Sequence, residues 1–210
     1  MRKSKILCLH GGRSNNDVTQ FQTAGLKLST RADCHYLHAP HEANRCYPGL
    51  ENFVSPPFWT WSEASDSASE QWDKSLESIA EYCRKEGPFD AVFGFSQGAA
   101  MITQFSYPSI WKERFGFRSC PWKSAILACG GAASNVANDY QAKIDIPSLH
   151  IMGSADPYLA ESKLLLERWT DGSARTYTHQ KGHEIDLMIL SREEELAIVL
   201  DEFLISMSIF

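Results

Sequence analysis

Short apolar runs rich in aliphatic and β-branched residues alternate along this chain with longer mixed segments whose apolar positions recur at helical spacing. The runs Ile6–Leu9, Cys34–His38, Ala91–Phe93, Ser124–Ala128, Ser148–Met152 and Ala174–Tyr177 predict strands. Between them, Val18–Leu28, Ala68–Arg84, Gly98–Phe105, Leu159–Trp169 and Glu184–Met207 predict helices, the last interrupted or frayed near Ser191. Strand and helix in this alternation are the pattern of an α/β protein, a mostly parallel twisted sheet joined by helical crossovers with helices on both faces.

One segment breaks the rhythm. From Pro40 to Ser67 the chain carries Pro40, Pro48, Pro56 and Pro57 together with Tyr47, Phe53, Phe58, Trp59 and Trp61. A long loop without secondary structure of its own tends to be functional in a compact domain, and residues 40–67 are expected to form a short lid-like insertion or pocket wall.

Composition narrows the picture. With 210 residues, 43% hydrophobic and 22% charged, the chain can bury one good core, and a single domain over residues 1–210 is expected. The formal net charge of -6 and the lack of a basic stripe argue against nucleic acid as a partner, because phosphate binding rests on clustered Lys and Arg. The run Arg192-Glu193-Glu194-Glu195 reads as a solvated helix face. Ile6-Leu7-Cys8-Leu9 is too short for a signal-peptide core. No stretch approaches the ~18 apolar residues of a membrane helix, so a soluble cytoplasmic protein is expected. Cys8, Cys34, Cys46, Cys83, Cys120 and Cys129 form no CxxC pair and read as buried free thiols.

The chemistry enters at Asp90-Ala91-Val92-Phe93, which runs straight into Gly94-Phe95-Ser96-Gln97-Gly98 and then Ala99-Ala100-Met101-Ile102. This is G-x-S-x-G between a strand and a helix, the setting in which a sharp turn lifts a serine above the sheet edge. Glycines on either side keep side chains from colliding with strand and helix. The amide of Gln97 falls at the helix N-terminus, where free N–H groups and the helix dipole favour an oxyanion. A second donor is expected from the loop Leu9-His10-Gly11-Gly12, with the Gly12 N–H preferred to that of Arg13; His10 reads as structural.

A serine needs a base within reach, and the base needs a group that holds its tautomer. In this chain order the acid and then the histidine follow the serine. His183 in Lys181-Gly182-His183-Glu184 follows the last strand, whereas His179 lies nearer the strand end; His183 is the expected base. Asp156, in Gly153-Ser154-Ala155-Asp156-Pro157 at a strand end, is the expected acid ahead of Asp145 and Glu161, although an aspartate there also suits a helix N-cap. His179 and His183 have metal-ligand spacing, but Gly182 and the loop setting deny them a common helix face, and the chain has no P-loop and no G-x-G-x-x-G. No metal and no organic cofactor is expected.

Taken together, Leu7-Cys8-Leu9-His10-Gly11, Leu37-His38-Ala39-Pro40-His41, Trp59-Thr60-Trp61, Gly94-Phe95-Ser96-Gln97-Gly98, Gly153-Ser154-Ala155-Asp156 and Gly182-His183 make the chain resemble, nearly end to end, the fungal-type family of serine hydrolases (FSH). The resemblance implies an α/β-hydrolase fold, a Ser96, Asp156, His183 triad and action on carboxylic esters or thioesters. Some relatives look like stand-alone thioesterases that release a polyketide or fatty acyl product from an acyl carrier protein, which makes such a carrier a candidate partner beside a small-molecule acyl substrate. The family often has a bulky residue where this chain has Gly12, so the second oxyanion donor stays open between Gly12 and Arg13. Phe58, Trp59 and Trp61, with Phe53, suit an apolar acyl pocket; the alternative is a satellite core under a long loop. Other uses of the same residues are a broad carboxylesterase or acyl-protein thioesterase, acyl transfer or cyclisation, and a binding protein that kept the fold and lost the chemistry.

Overall fold

In the computed structural model, which describes residues 3–63, 68–136 and 143–208, six strands form one parallel sheet. They are β1 (Lys5–Leu9), β2 (Asp33–Leu37), β5 (Ala91–Phe95), β6 (Ala125–Ala128), β7 (Ser148–Gly153) and β8 (Ala174–His179), in the order β2-β1-β5-β6-β7-β8. β3 (His41–Ala43) and β4 (Phe58–Thr60) make a separate antiparallel pair. The helices are α1 (Asn16–Gly25), α2 (Leu28–Arg31), α3 (Ala68–Glu86), α4 (Gln97–Ser106), α5 (Leu159–Leu166), α6 (Ile189–Arg192) and α7 (Glu194–Ser206).

The central strands β5, β6 and β7 are buried at every position, as a sheet covered on both faces requires. Alternate residues serve opposite cores. Leu7, Leu9, Val92 and Leu127 join α3, α4 and α5 on one face, while Ile6, Cys8, Phe93 and Ile126 meet Leu26, Leu28 and the α7 residues Leu196, Leu200 and Phe203 on the other. The amphipathic spacing of α3 shows in its buried residues, Trp72, Ser75, Leu76, Ile79, Ala80 and Cys83. α1 begins where the Asn15 side chain accepts the Val18 N–H at 3.3 Å.

This topology fixes where ligands can sit. The chain runs from β1 outward to β2, then crosses back over β1 to β5 and proceeds the other way. The strand order therefore reverses between β1 and β5, and the crevice beyond their carboxyl ends is where an open α/β sheet presents a site.

Two expectations are corrected. Residues 40–67 are not devoid of secondary structure: β3 and β4 pair with His41 opposite Thr60 and Ala43 opposite Phe58, although positions 64–67 lie outside the described residues. The final helix also starts later than Glu184. Asp186 Oδ1 accepts the Met188 N–H at 2.8 Å, and its Oδ2 takes Lys181 Nζ and Arg192 Nη1, each at 2.7 Å. Such side-chain bonds compete with helical ones, so residues 184–188 remain a loop.

Candidate active site

The turn between β5 and α4 is as tight as its sequence demands. Ser96 has φ 53° and ψ -118°, a conformation that costs about 1–3 kcal/mol and persists only where its surroundings enforce it. They do so through hydrogen bonds: the Ser96 N–H donates to Ala128 O at 2.9 Å, and its carbonyl accepts from Ala99 N at 3.0 Å and Gly131 N at 3.1 Å. The flanking glycines are steric necessities. A Cβ on Gly98 would lie 2.5 Å from Leu9 O, and one on Gly94 would lie 2.8 Å from the Gly98 carbonyl carbon.

Above this turn three side chains from separate strand ends meet. His183 Nε2 is 2.9 Å from Ser96 Oγ, and His183 Nδ1 is 2.8 Å from Asp156 Oδ2. A carboxylate only accepts, so Nδ1 carries the imidazole proton and Nε2 is left to accept from the Ser96 hydroxyl. The Asp156 side chain is wholly buried, and its other oxygen accepts the Tyr158 N–H at 2.7 Å. Burial withdraws the pair from water, where each bond would be weaker.

The model of the serine hydrolase (FSH1) family matches residues 1–186. The chain belongs to that family. It is 29% identical over 204 residues to esterase FPY3 of Fusarium mangiferae, covering 92% of this chain and 93% of the esterase. It is also 32% identical over 186 residues to a dihydrofolate reductase of Schizosaccharomyces pombe, where the match covers 78% of this chain but only 40% of the relative. Among solved structures, a carboxylesterase from Mesorhizobium loti superposes with a TM-score of 0.63 at 14% identity, covering 96% of this chain and 88% of that one. The α/β-hydrolase fold is thereby shown.

The FSH1-family site opens into a cavity of about 610 Å³ between α1, residues 47–54 and residues 183–188, with Ser96 and His183 in its wall. That volume suits a small-molecule ligand. Its lining is mainly apolar and includes Val18, Phe21, Leu50, Phe53, Ile185 and Met188. Phe58, Trp59 and Trp61 do not line it, which corrects the expected pocket. Trp61 is fully buried, its indole N–H donating to His10 O at 2.8 Å; Phe58 packs on Ala43 and Cys46; Trp59 packs on the main core. Phe58 alone belongs to a satellite cluster under the insertion, Trp59 and Trp61 serve the main core, and the insertion contributes Phe53 to the cavity instead.

Of the two oxyanion candidates, Gly12 lines this cavity and Gln97 directly follows Ser96, which also lines it. Gln97 opens α4, where helix geometry offers its N–H no acceptor. Gly11 and Gly12 line the cavity beside Ser96, whereas Arg13, at φ 52°, stands outside the lining with its carbonyl taken by the Tyr47 N–H at 2.8 Å. The Gln97 side chain holds this corner together: Oε1 accepts from Trp61 N at 2.9 Å and Thr60 Oγ1 at 3.0 Å, and Nε2 donates to Ser62 O at 2.7 Å. A Cβ on Gly12 would come within 2.9 Å of that Oε1, so glycine there leaves room for the Gln97 amide.

The remaining candidates have other partners. His10 is buried, accepts the Ala39 N–H at 3.0 Å through Nε2 and lies 2.6 Å from Gly11 O through Nδ1; burial pushes it down to about 4, and it stays a neutral structural residue. The His179 Nδ1 accepts the Lys181 N–H at 3.2 Å. Glu161 accepts the Ala133 N–H at 2.6 Å, and Asp145 is exposed ahead of β7.

Sequence reasoning missed Gly131 and Cys129, which follow β6. A Cβ on Gly131 would stand 3.3 Å from Ser96 Oγ. Cys129, at φ 46°, sits beside Asp156 with its Sγ 3.8 Å from Glu184 O, which accepts from the thiol. Among the described residues, Cys129, Asp156 and His183 gather ligand-type atoms within 4.8 Å of one another. Burial pushes the Cys129 thiol up, keeping it protonated, and Asp156 and His183 are committed to each other, so the group makes a poor metal cage. The Cys-Gly-Gly run after a strand was the available signal. No helix among the described residues is long and apolar enough to cross a membrane.

Proposed function

We propose that this chain hydrolyses carboxylic esters and thioesters through an acyl-Ser96 intermediate. The observation that carries the reading is the hydrogen-bonded chain from Ser96 Oγ through His183 to Asp156, opening directly into an apolar cavity. His183 Nε2 takes the hydroxyl proton as Oγ attacks the acyl carbon, and Asp156 holds the ring and stabilises the imidazolium. The N–H groups of Gln97 and Gly12 receive the developing oxyanion. His183 then gives its proton to the departing alcohol or thiol. Water, deprotonated by the same nitrogen, attacks the acyl-enzyme, releasing the acid and restoring Ser96.

The acyl group occupies the cavity. Phe21, Phe53, Leu187 and Met188 are large apolar side chains at least half exposed, and all four line it, so a ligand chain would cover surface that water now meets. Acyl-carrier thioesters, as in release of a polyketide or fatty acyl product, are the finer form of this reading, supported by the resemblance to fungal thioesterases. A broad carboxylesterase or acyl-protein thioesterase uses the same residues with a different leaving group.

A ladder of p-nitrophenyl esters and acyl thioesters of increasing chain length tests the reading. Burial of each methylene is worth ~0.8 kcal/mol, so kcat/KM should rise about three- to fourfold per added carbon until the cavity is filled. A folded protein that turns over no ester or thioester contradicts the hydrolase reading, and turnover independent of chain length contradicts the acyl site. Faster release from an acyl carrier protein than from the same acyl group on a small thiol would support the carrier as partner.

A further inference from the structure

The acyl cavity is apolar over most of its wall, yet Ser14 and Gln22 also line it. Ser14, just ahead of the α1 cap, is 3% exposed, and Gln22, within α1, is 4% exposed. Ser14 Oγ and Gln22 Oε1 are buried without a hydrogen-bond partner among the described residues. The backbone of each residue is satisfied. The Ser14 N–H donates to Trp59 O at 3.0 Å and its carbonyl accepts the Trp59 N–H at 2.7 Å, while the Gln22 carbonyl accepts the Leu26 N–H at 3.1 Å. What is left over is side-chain oxygen, and a buried oxygen without a partner destabilises the fold that carries it.

The two residues mark out a line along the cavity. Val18 and Gln22 are four apart on one face of α1 and both line it. At the near end, Ser14 is two residues past Gly12 in the oxyanion loop. At the far end, residues 186–187 pack so closely on α1 that a Cβ on Gly25 would collide with Asp186 O.

We propose that Gln22 and Ser14 form a polar subsite inside the acyl cavity that selects acyl chains bearing a hydroxyl group. The inference deepens the acyl-hydrolase reading and rests on it. An amide oxygen only accepts, so its partner must be a donor, whereas a serine hydroxyl both donates and accepts. An alcohol on the acyl chain meets either demand: it donates to Gln22 Oε1 and accepts from Ser14 Oγ. A carbonyl or ether oxygen on the chain lacks the proton that Gln22 Oε1 needs. A site built to bond a hydroxyl also rejects the analogue without it, because its own polar groups then stay buried and unpaired.

The test compares p-nitrophenyl octanoate with isomers that carry one hydroxyl at carbon 3, 6, 7 or 8, positions that do not readily close to a lactone. At least one isomer should exceed octanoate in kcat/KM by about tenfold, the worth of pairing a buried polar group. A wholly apolar cavity would instead penalise every hydroxyl. Gln22→Met keeps the length of the side chain and deletes the oxygen, and Ser14→Ala deletes the hydroxyl. One or both should lower the ratio of the favoured isomer to octanoate about tenfold, and octanoate itself should gain because apolar atoms then face its chain. Neither variant gives up a side-chain bond within the protein, so the thermal midpoints should hold or rise; a fall of several degrees would show these oxygens already bonded in the free protein and count against the subsite. Octanoate preferred over every isomer, or a hydroxyl preference that survives both substitutions, would overturn the subsite while the octanoate turnover leaves the acyl reading standing. A folded enzyme that turns over neither octanoate nor its isomers would sink the acyl reading and the subsite with it.

Discussion

Replacing Ser96 by alanine should abolish turnover almost completely, with kcat falling about a million-fold and the fold unchanged. Removal of the nucleophile in a triad that acts as a unit produces losses of that order, and the residual rate comes from the oxyanion donors and binding. The substitution is expected to leave the backbone strain as it is, because alanine at φ 53° carries the same penalty, and to remove little that packs: Ser96 Oγ has His183 as its hydrogen-bond partner and opens on the cavity. The thermal midpoint of Ser96→Ala should therefore stay close to that of the parent chain. Substantial ester turnover by the folded variant would show that the acyl group is never carried on Ser96.

The second large effect is expected from Asp156→Asn, and it follows from which oxygen holds which partner. Oδ1 accepts the Tyr158 N–H at 2.7 Å, so the asparagine must keep its carbonyl on that side. Its NH2 group then faces His183 Nδ1 and demands an acceptor there. The imidazole answers by moving its proton to Nε2, where it can no longer take the Ser96 proton. A wrong-tautomer substitution of this kind costs roughly 10^4-fold in kcat. His183→Ala should cost more, because it removes the base instead of misdirecting it. Steady-state kinetics on one short-chain ester compare all three variants, and an Asp156→Asn enzyme with parental kcat would move the orienting role elsewhere.

Much of this framework was legible because it is local. Each of the six expected strands lies in the parallel sheet, and Gly94-Phe95-Ser96-Gln97-Gly98 identified its turn because only glycine tolerates contacts as close as those of Gly98 with Leu9 O. Asp156 and His183 could be picked out from strand-end positions, since a parallel sheet delivers every carboxyl end to one edge, and the structure brings both to Ser96.

What stayed hidden depends on contacts between residues distant in sequence. The aromatic cluster Phe58, Trp59 and Trp61 carried no mark to say whether it faced a ligand or a core. The indole N–H of Trp61 on His10 O is what buries it, and that bond spans 51 positions. Phe53, in the same segment, faces the cavity because Leu50 O accepts its N–H at 3.0 Å in a turn that the apolar pattern did not announce. The late start of the final helix turns on Asp186 holding Lys181 and Arg192 together. Tyr47 was visible only as one more aromatic in the insertion; its place beside His183 requires the fold.

The most direct measurement is to treat the protein with a fluorophosphonate and locate the adduct by peptide mass mapping. Such a probe reacts only with a serine whose hydroxyl is activated by a base and whose oxyanion is received. The account predicts one adduct, on Ser96, and its loss in His183→Ala. A folded protein that remains unlabelled, or one labelled at a different serine, would contradict it.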